Sequence, residues 1–309
     1  MADRARLAIT LGDPRGVGPE VAARALALAP LDADVVLVGP DDLLASIPAR
    51  SRLGVGAWGM GTGAGTDDAR AAAAGRLAGR AIERAVWLAR AGEVDAIVTA
   101  PVEKRALQLA GHRYPGVTEF LGALCGGVET VMMLAAGTLR VALITTHIPL
   151  RDVLGAVTTA RVLRVGEITA AALRDRFGIA EPRLALCALN PHAGEGGLFG
   201  DDDARVLRPA AERLGAAGPL PADTVFVRAL RGEFDAVLAP YHDVGMTAVK
   251  VAGFGSGVNV TLGLPFPRTS PDHGTAFDIA GQGRADAGSM RAAIEMALRL
   301  AARPAGAAR

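Results

Sequence analysis

Short apolar runs along this chain alternate with longer segments whose apolar positions recur at helical spacing. Strands are predicted at LAIT (7–10), DVVLVG (34–39), DAIVTA (95–100), ETVMMLAA (129–136), RVALITT (140–146), RLALCAL (183–189), DAVLA (235–239) and GVNVTLG (257–263). Helices are predicted over 19–29, 41–46, 67–91, 103–110, 118–125, 157–177, 203–216 and 287–302. Strands that alternate with helices of this length make parallel βαβ units, so the fold class is α/β with mostly parallel sheets. The length of 309 residues suits two domains. No linker rich in Pro and Ser divides the chain, so the second domain is expected as an insertion. Residues 1–115 with 258–309 are expected to form one α/β domain, and 116–257 the other.

Five apolar runs end in the same way: VLVGP, IVTAP, ITTHIP, CALNP and VLAP each reach a proline within a few residues. A weak internal echo links GEVDAIVTAP (92–101) with GEFDAVLAPY (232–241). In open parallel sheets, ligands bind outside the carboxyl ends of the strands, so polar residues there are the first candidates for chemistry.

Composition removes several classes of function. Half the residues are apolar and the formal charge is +1, which excludes a disordered chain and leaves no basic field for nucleic acid or an anionic membrane. The N-terminal MADRARLAIT carries charge where a signal peptide has its apolar stretch. The longest charge-free run, 251–267, holds four glycines and two prolines, so no membrane helix is expected there. Cys125 and Cys187 are too few for a disulfide scaffold or a CxxC zinc site and read as reduced thiols. A cytoplasmic protein is therefore expected. Of 33 basic residues only Lys104 and Lys250 are lysine, a choice that suits a compact, titratable ammonium as well as chance.

Three of the five histidines stand at strand ends: His147 in ITTHIPLRD, His192 in LNPHAGEGG and His242 in APYHDVG. Each alone reads as a hydrogen-bonded structural residue. Three in matching context equally suit an open three-histidine site for Zn²⁺, or for Co²⁺ or Mn²⁺, with Asp243 and Asp223 as outer carboxylates. The turn GDPRGVGPE sets Gly12, Gly16 and Gly18 between a strand and a helix, which serves a tight turn or close approach of an anion to a helix N-terminus. Lys104 opens a helix at another strand end, as a solvated residue or a proton carrier. Lys250, Asn259 and Arg268, nine residues apart, form a candidate clamp for a carboxylate or phosphate. His273, Gly274, Thr275 and Asp278 make a loop suited to an adenosine ribose, with the carboxylate for its 2′-hydroxyl.

Taken in order, GDPRGVGPE, TAPVEK, VTEFL, VALITTHIPLRD, LNPHAGEGG, LPADT, YHDVG, GFGSGVNVTLGLPFPRTS and DHGTAFDIAGQG resemble the 4-hydroxythreonine-4-phosphate dehydrogenase family of vitamin B6 biosynthesis, over nearly the whole chain. The resemblance implies a divalent metal (zinc first, then cobalt, manganese or magnesium) on His147, His192 and His242. It implies a small anionic hydroxy-acid substrate on Thr118, Lys250, Asn259 and Arg268, and a two-domain homodimer with its site near the interface. The insertion then carries the metal and the dimer contact, and the other domain the cofactor. GDPRGVGPE and HGTAFDIAGQG also look like the N-terminal turn and adenosine loop of isopropylmalate and isocitrate dehydrogenases. That likeness implies NAD near Gly12, His273, Gly274, Thr275 and Asp278. Lys104 and Asp223 are the candidates for proton transfer. Two departures stand out: the family usually has His where this chain has Val117, and Gln-Gly-Leu-Pro where it has Val244 to Thr247. They leave room for a paralogue that oxidises a phosphothreonate-type or cis-dihydrodiol acid. A metal-dependent hydrolase or aldolase is the expected rival outside the dehydrogenases.

Overall fold

The computed structural model describes residues 4–59, 66–253 and 255–302. The chain begins with β1 (Ala5–Thr10), α1 (Gly18–Leu28), β2 (Ala33–Gly39), α2 (Asp41–Ala45), β3 (Ser51–Gly54), α3 (Asp67–Arg90), β4 (Ala96–Thr99), α4 (Lys104–Leu109) and α5 (Val117–Leu124). Next come β5 (Val131–Ala136), β6 (Leu139–Leu143), α6 (Leu150–Ala156), α7 (Thr159–Asp175), β7 (Leu184–Cys187), α8 (Arg208–Leu214) and β8 (Ala217–Leu220). The remainder is α9 (Ala222–Leu230), β9 (Ala236–Ala239), α10 (His242–Ala252), β10 (Val258–Leu262), β11 (Arg268–Pro271) and α11 (Gly288–Ala301).

Two compact units result: Met1–Glu129 with Leu264–Arg309, and Thr130–Gly263. The first lies further along the chain than the boundary expected after residue 115, because α5 buries Phe120 and Leu121 among Ile82, Val86 and Phe266 of the first unit. The second falls after β10, which pairs with β5, and so later than the expected 257/258.

In the first unit the strand order is β3-β2-β1-β4-β11, and every pairing is parallel. Leu7, Ala8 and Ile9 are all buried, as a strand covered on both faces must be, which is why LAIT reads as a continuous apolar run. The second unit runs β10-β5-β6-β9-β7-β8. Its β6, β9, β7 and β8 pair in parallel, whereas β5 runs antiparallel to both of its neighbours, β10 and β6. Only Gly137 and Thr138 separate β5 from β6, too few for a crossover, and Gly137 takes the positive φ of 57° that a tight hairpin uses.

The internal echo is structural. In the first unit Arg6 donates its backbone N–H, Nε and Nη2 to the carboxylate of Asp95. In the second, Arg183 makes the same three bonds to Asp235. Each clasp locks the start of one parallel strand to its neighbour, and the Arg183 guanidinium holds Asp235 below the usual carboxylate range.

Close packing makes one glycine decisive. Gly75 lies in the middle of α3, where alanine would normally favour the helix by about 0.5–1 kcal/mol. A Cβ there would stand 2.0 Å from the Ala106 carbonyl oxygen of α4, a backbone atom that cannot rotate away. Gly75→Ala is therefore expected to destabilise the fold by about 1–3 kcal/mol, seen as a thermal midpoint lower by several degrees. A rise in the midpoint would show that α3 and α4 are less tightly apposed.

Candidate active site

The ends of β6 and β9 build the most definite constellation in the second unit. These strands run parallel with Leu143 opposite Ala239. Beyond the ladder, the Ile144 N–H donates to Ala239 O at 2.9 Å, and the buried Thr145 hydroxyl donates to Pro240 O at 2.7 Å. Both chain exits are thus fixed side by side. His147 follows β6, His242 opens α10, and their ring centroids are 5.4 Å apart. Asp243 Oδ1 lies 2.7 Å from His242 Nδ1. With the Nδ1 proton given to that carboxylate, Nε2 keeps its lone pair, the arrangement of a metal-ligating imidazole. Asp243 itself is largely exposed.

His192 is held elsewhere. Residues His192 to Gly196 have φ of 52°, 54°, 79°, 40° and 68°, a left-handed turn that includes three non-glycine residues. Such positions cost about 1–3 kcal/mol each and persist only where the surroundings enforce them. Here the buried Asp203 carboxylate accepts the N–H groups of Leu189 and Asn190 at 2.8 and 2.9 Å. A Cβ on Gly194 would be 2.7 Å from Gly200 O. The nearest ring recorded for His192 is Phe199, at 6.3 Å between centroids. Among the described residues no group of three or more His, Cys, Asp or Glu side chains is placed to hold a metal. Of the three expected histidines, His147 and His242 are in ring contact.

Lys250, in the last turn of α10, and Asp223, in the first turn of α9, are both exposed. Asn259 sits on β10 with its Oδ1 buried and without a hydrogen-bond partner. A buried acceptor left open is uncommon in proteins and marks a place where a ligand donor fits.

In the first unit Arg268 opens β11, opposite Ile97 of β4, and is almost fully buried. Its Nε donates to Thr99 Oγ1 at 3.2 Å, and Nη2 donates to the same hydroxyl. Burial pushes its pKa down to about 10, against the opposing charge of Glu119, so the guanidinium is cationic at neutral pH. A buried cation of this kind suits an anion more than a neutral ligand. Thr118, beside Glu119 in the first turn of α5, is also buried. Lys104 is the exposed first residue of α4.

The glycines of the N-terminal turn serve the tight turn, one of the two purposes expected of them. Gly12 has φ 72°, and a Cβ there would lie 2.3 Å from Pro101 O. Cβ atoms on Gly16 and Gly18 would lie 2.7 Å from Thr275 O and 2.3 Å from Leu11 O. All three admit the chain's own backbone. The helix start is also already acidic, with Glu20 in the first turn of α1, so it is a poorer anion site than the turn alone implies. In the loop that follows β11, His273 Nδ1 is 3.0 Å from Gly274 O and its Nε2 is buried without a partner. The Thr275 carbonyl accepts from Val17 N–H at 2.9 Å. Asp278 is exposed, and a Cβ on Gly274 would meet open space.

Sequence reasoning did not single out Thr145 or Asp203. Both act through backbone groups, and DDD at 201–203 reads as a solvated acidic run.

The family profile described as "Pyridoxal phosphate biosynthetic protein PdxA" matches residues 57–297. The chain is 44% identical to the 4-hydroxythreonine-4-phosphate dehydrogenase of Paracoccus denitrificans, over 98% of this chain and all of that one. It is 43% identical to the D-threonate 4-phosphate dehydrogenase of Salmonella typhimurium, over 96% and 98% of the two chains. The crystal structure of 4-hydroxythreonine-4-phosphate dehydrogenase from Klebsiella pneumoniae superposes with a TM-score of 0.83 at 40% identity, covering 97% of this chain and 99% of that one. An end-to-end match of this strength, in sequence and in fold, places the chain in the PdxA family.

Proposed function

We propose that this protein is an NAD-dependent dehydrogenase that oxidises the secondary alcohol of 4-hydroxythreonine 4-phosphate. The observation that carries this reading is the 44% identity, over 98% of this chain and all of the other, to a relative named for that activity. Bound NAD⁺ would supply the acceptor for the hydride of C3, and a base of the protein would take the hydroxyl proton. The resulting β-keto acid then loses CO₂ to give 3-amino-2-oxopropyl phosphate.

Arg268 and Thr118 are the proposed anion-binding groups of the first unit, and Lys250 and Asn259 those of the second. The buried charge of Arg268 supports its role, and the open acceptor of Asn259 suits a donor group of the same substrate, such as its ammonium or hydroxyl. Lys104 and Asp223 are the proposed proton carriers, each exposed and free to exchange protons with water. A divalent metal, zinc first, would supply a Lewis acid for the alcohol oxygen, with His147, His192 and His242 as its donors. His147 and His242 fit it by position, and His192 by chemistry alone. Gly12, His273, Gly274, Thr275 and Asp278 are the proposed NAD contacts. The Asp278 carboxylate would accept from a ribose 2′-hydroxyl and repel a 2′-phosphate. No described helix is long and apolar enough to cross a membrane. A cytoplasmic homodimer completes the reading.

One observation favours D-threonate 4-phosphate as the substrate. Val117 packs on the core around Phe120 and offers no hydrogen-bond donor where the family usually has histidine. Comparing kcat/KM on the two phosphates decides between them. The expected result is higher efficiency on 4-hydroxythreonine 4-phosphate, improved about tenfold by Val117→His through one more bond to a charged group. Preference for D-threonate 4-phosphate, with no gain from the substitution, would overturn the first assignment.

A further inference from the structure

Arg15 makes more contacts than a residue in a glycine-rich turn requires. Its backbone N–H and Nε each donate to Asp13 Oδ1 at 3.0 Å, and its Nη2 donates to Asp13 Oδ2 at 2.7 Å. The same Nη2 donates to Glu103 Oε2 at 2.6 Å. The guanidinium carbon lies 4.9 Å from the centre of the Phe277 ring. Asp13 is wholly buried, while Arg15 and Glu103 keep only a minor part of their side chains in solvent. Burial opposes the charge on Arg15, yet the bonds and charges of Asp13 and Glu103 outweigh it and raise the guanidinium's pKa.

The three partners belong to three segments. Asp13 is in the turn after β1, Glu103 immediately precedes Lys104 at the start of α4, and Phe277 is in the loop after β11. Backbone bonds already join these segments, from Asp13 N–H to Pro101 O and from Val17 N–H to Thr275 O. They set the path of the chain, but they place neither the Glu103 side chain nor the Phe277 ring. A planar guanidinium does both, because its edge bonds carboxylates while its face packs on an aromatic ring. Without it, the buried Asp13 carboxylate would lose its cation and Glu103 its anchor.

Building on the dehydrogenase reading, we propose that Arg15 is a positioning residue that locks the proposed NAD loop, 273–278, to the start of α4 and hence to Lys104. It acts on Lys104 through Glu103 and on the loop through Phe277. The two arms have separable consequences. The Glu103 arm sets kcat, since displacing a reacting group by about 1 Å can cost roughly a hundredfold. The Phe277 arm sets NAD⁺ affinity. Arg15 sets both.

The test uses the full-length protein in two measurements. Amide hydrogen exchange without ligands compares wild type with Arg15→Met, Arg15→Lys and Glu103→Gln. Arg15→Met is expected to speed exchange about tenfold in both 103–107 and 273–279, Glu103→Gln only in 103–107, and Arg15→Lys less than Arg15→Met in both. Calorimetric NAD⁺ titration and steady-state kinetics follow. Arg15→Met should raise the NAD⁺ Kd and lower kcat by about tenfold each, whereas Glu103→Gln lowers kcat and leaves Kd within about twofold. Unchanged exchange in either segment of Arg15→Met, or identical changes in both variants, overturns the lock. If Arg15→Met does not fold, Arg15→Lys decides in the same way, by loosening both segments or neither. Coupled exchange in a wild-type protein that binds no NAD⁺ would uphold the lock and defeat the dehydrogenase reading.

Discussion

His147→Ala and His242→Ala should each abolish binding of the proposed divalent metal by the purified protein and lower kcat/KM by about a thousandfold or more. Even the outer partners of a metal-bound histidine are worth roughly 10- to 100-fold in affinity or activity, and a ligand is worth more. These two rings lie 5.4 Å apart at exits fixed by Ile144 and Thr145. Asp243→Asn, which weakens the carboxylate bonded to His242 Nδ1, should fall in the milder range. Metal content of dialysed protein, by mass spectrometry, checks the assignment alongside circular dichroism as a folding control. Full metal occupancy in either alanine variant would remove that histidine from the site.

Arg268→Met is expected to separate activity from stability. Truncating one member of a buried charge pair costs about 2–5 kcal/mol in binding, so kcat/KM should fall by roughly 10²- to 10³-fold if Arg268 holds the substrate anion. Stability should move the other way. Burial lowers the folded-state pKa to about 10, below the ordinary guanidinium range, so the unfolded chain binds this proton more tightly. Stability linked to this group therefore rises with pH from about 10 up to the ordinary guanidinium range, and at neutral pH the charged side chain is a net cost. Methionine removes that cost, and replacing a buried charge with an apolar residue of similar volume is often neutral or stabilising. A thermal midpoint held or raised, with activity lost, is the expected pairing. Activity within threefold of wild type would show that Arg268 serves the fold and not the substrate.

What the sequence made legible follows from where each signal resides. Strands β1, β2, β4, β7 and β9 are apolar on both faces and stand out as short runs. By contrast, β11 reads RTSP and was invisible as a strand. Its polar groups are satisfied inside the first unit, Arg268 on Thr99 and the Thr269 hydroxyl on Ala293 O at 2.8 Å. The edge strands β3 and β8 read SRLG and AGPL, with too few consecutive apolar residues to stand out as runs. Helix α10 was hidden by Gly245, which reads as a loop residue. In the structure a Cβ there would stand 2.7 Å from the Leu143 side chain, so the glycine is a packing requirement.

The candidate site divides along the same line. The rule that ligands gather at strand ends located His147 and His242, because the ends of adjacent parallel strands are neighbours in space. The course of the chain around His192 was not readable. Alanine and glutamate carry no preference for a left-handed turn, and the group that enforces it, Asp203, works through backbone N–H groups. The hub at Arg15 was missed for a related reason, since Asp13 and Glu103 are 90 positions apart and meet only in the folded unit.

The most direct test of the account follows absorbance at 340 nm as purified protein, Zn²⁺ and NAD⁺ are mixed with 4-hydroxythreonine 4-phosphate. The account predicts NADH and the keto product in equal amounts, with NAD⁺ preferred to NADP⁺ by about tenfold or more through Asp278. No NADH from this substrate or from D-threonate 4-phosphate, under metal and cofactor saturation, would contradict it.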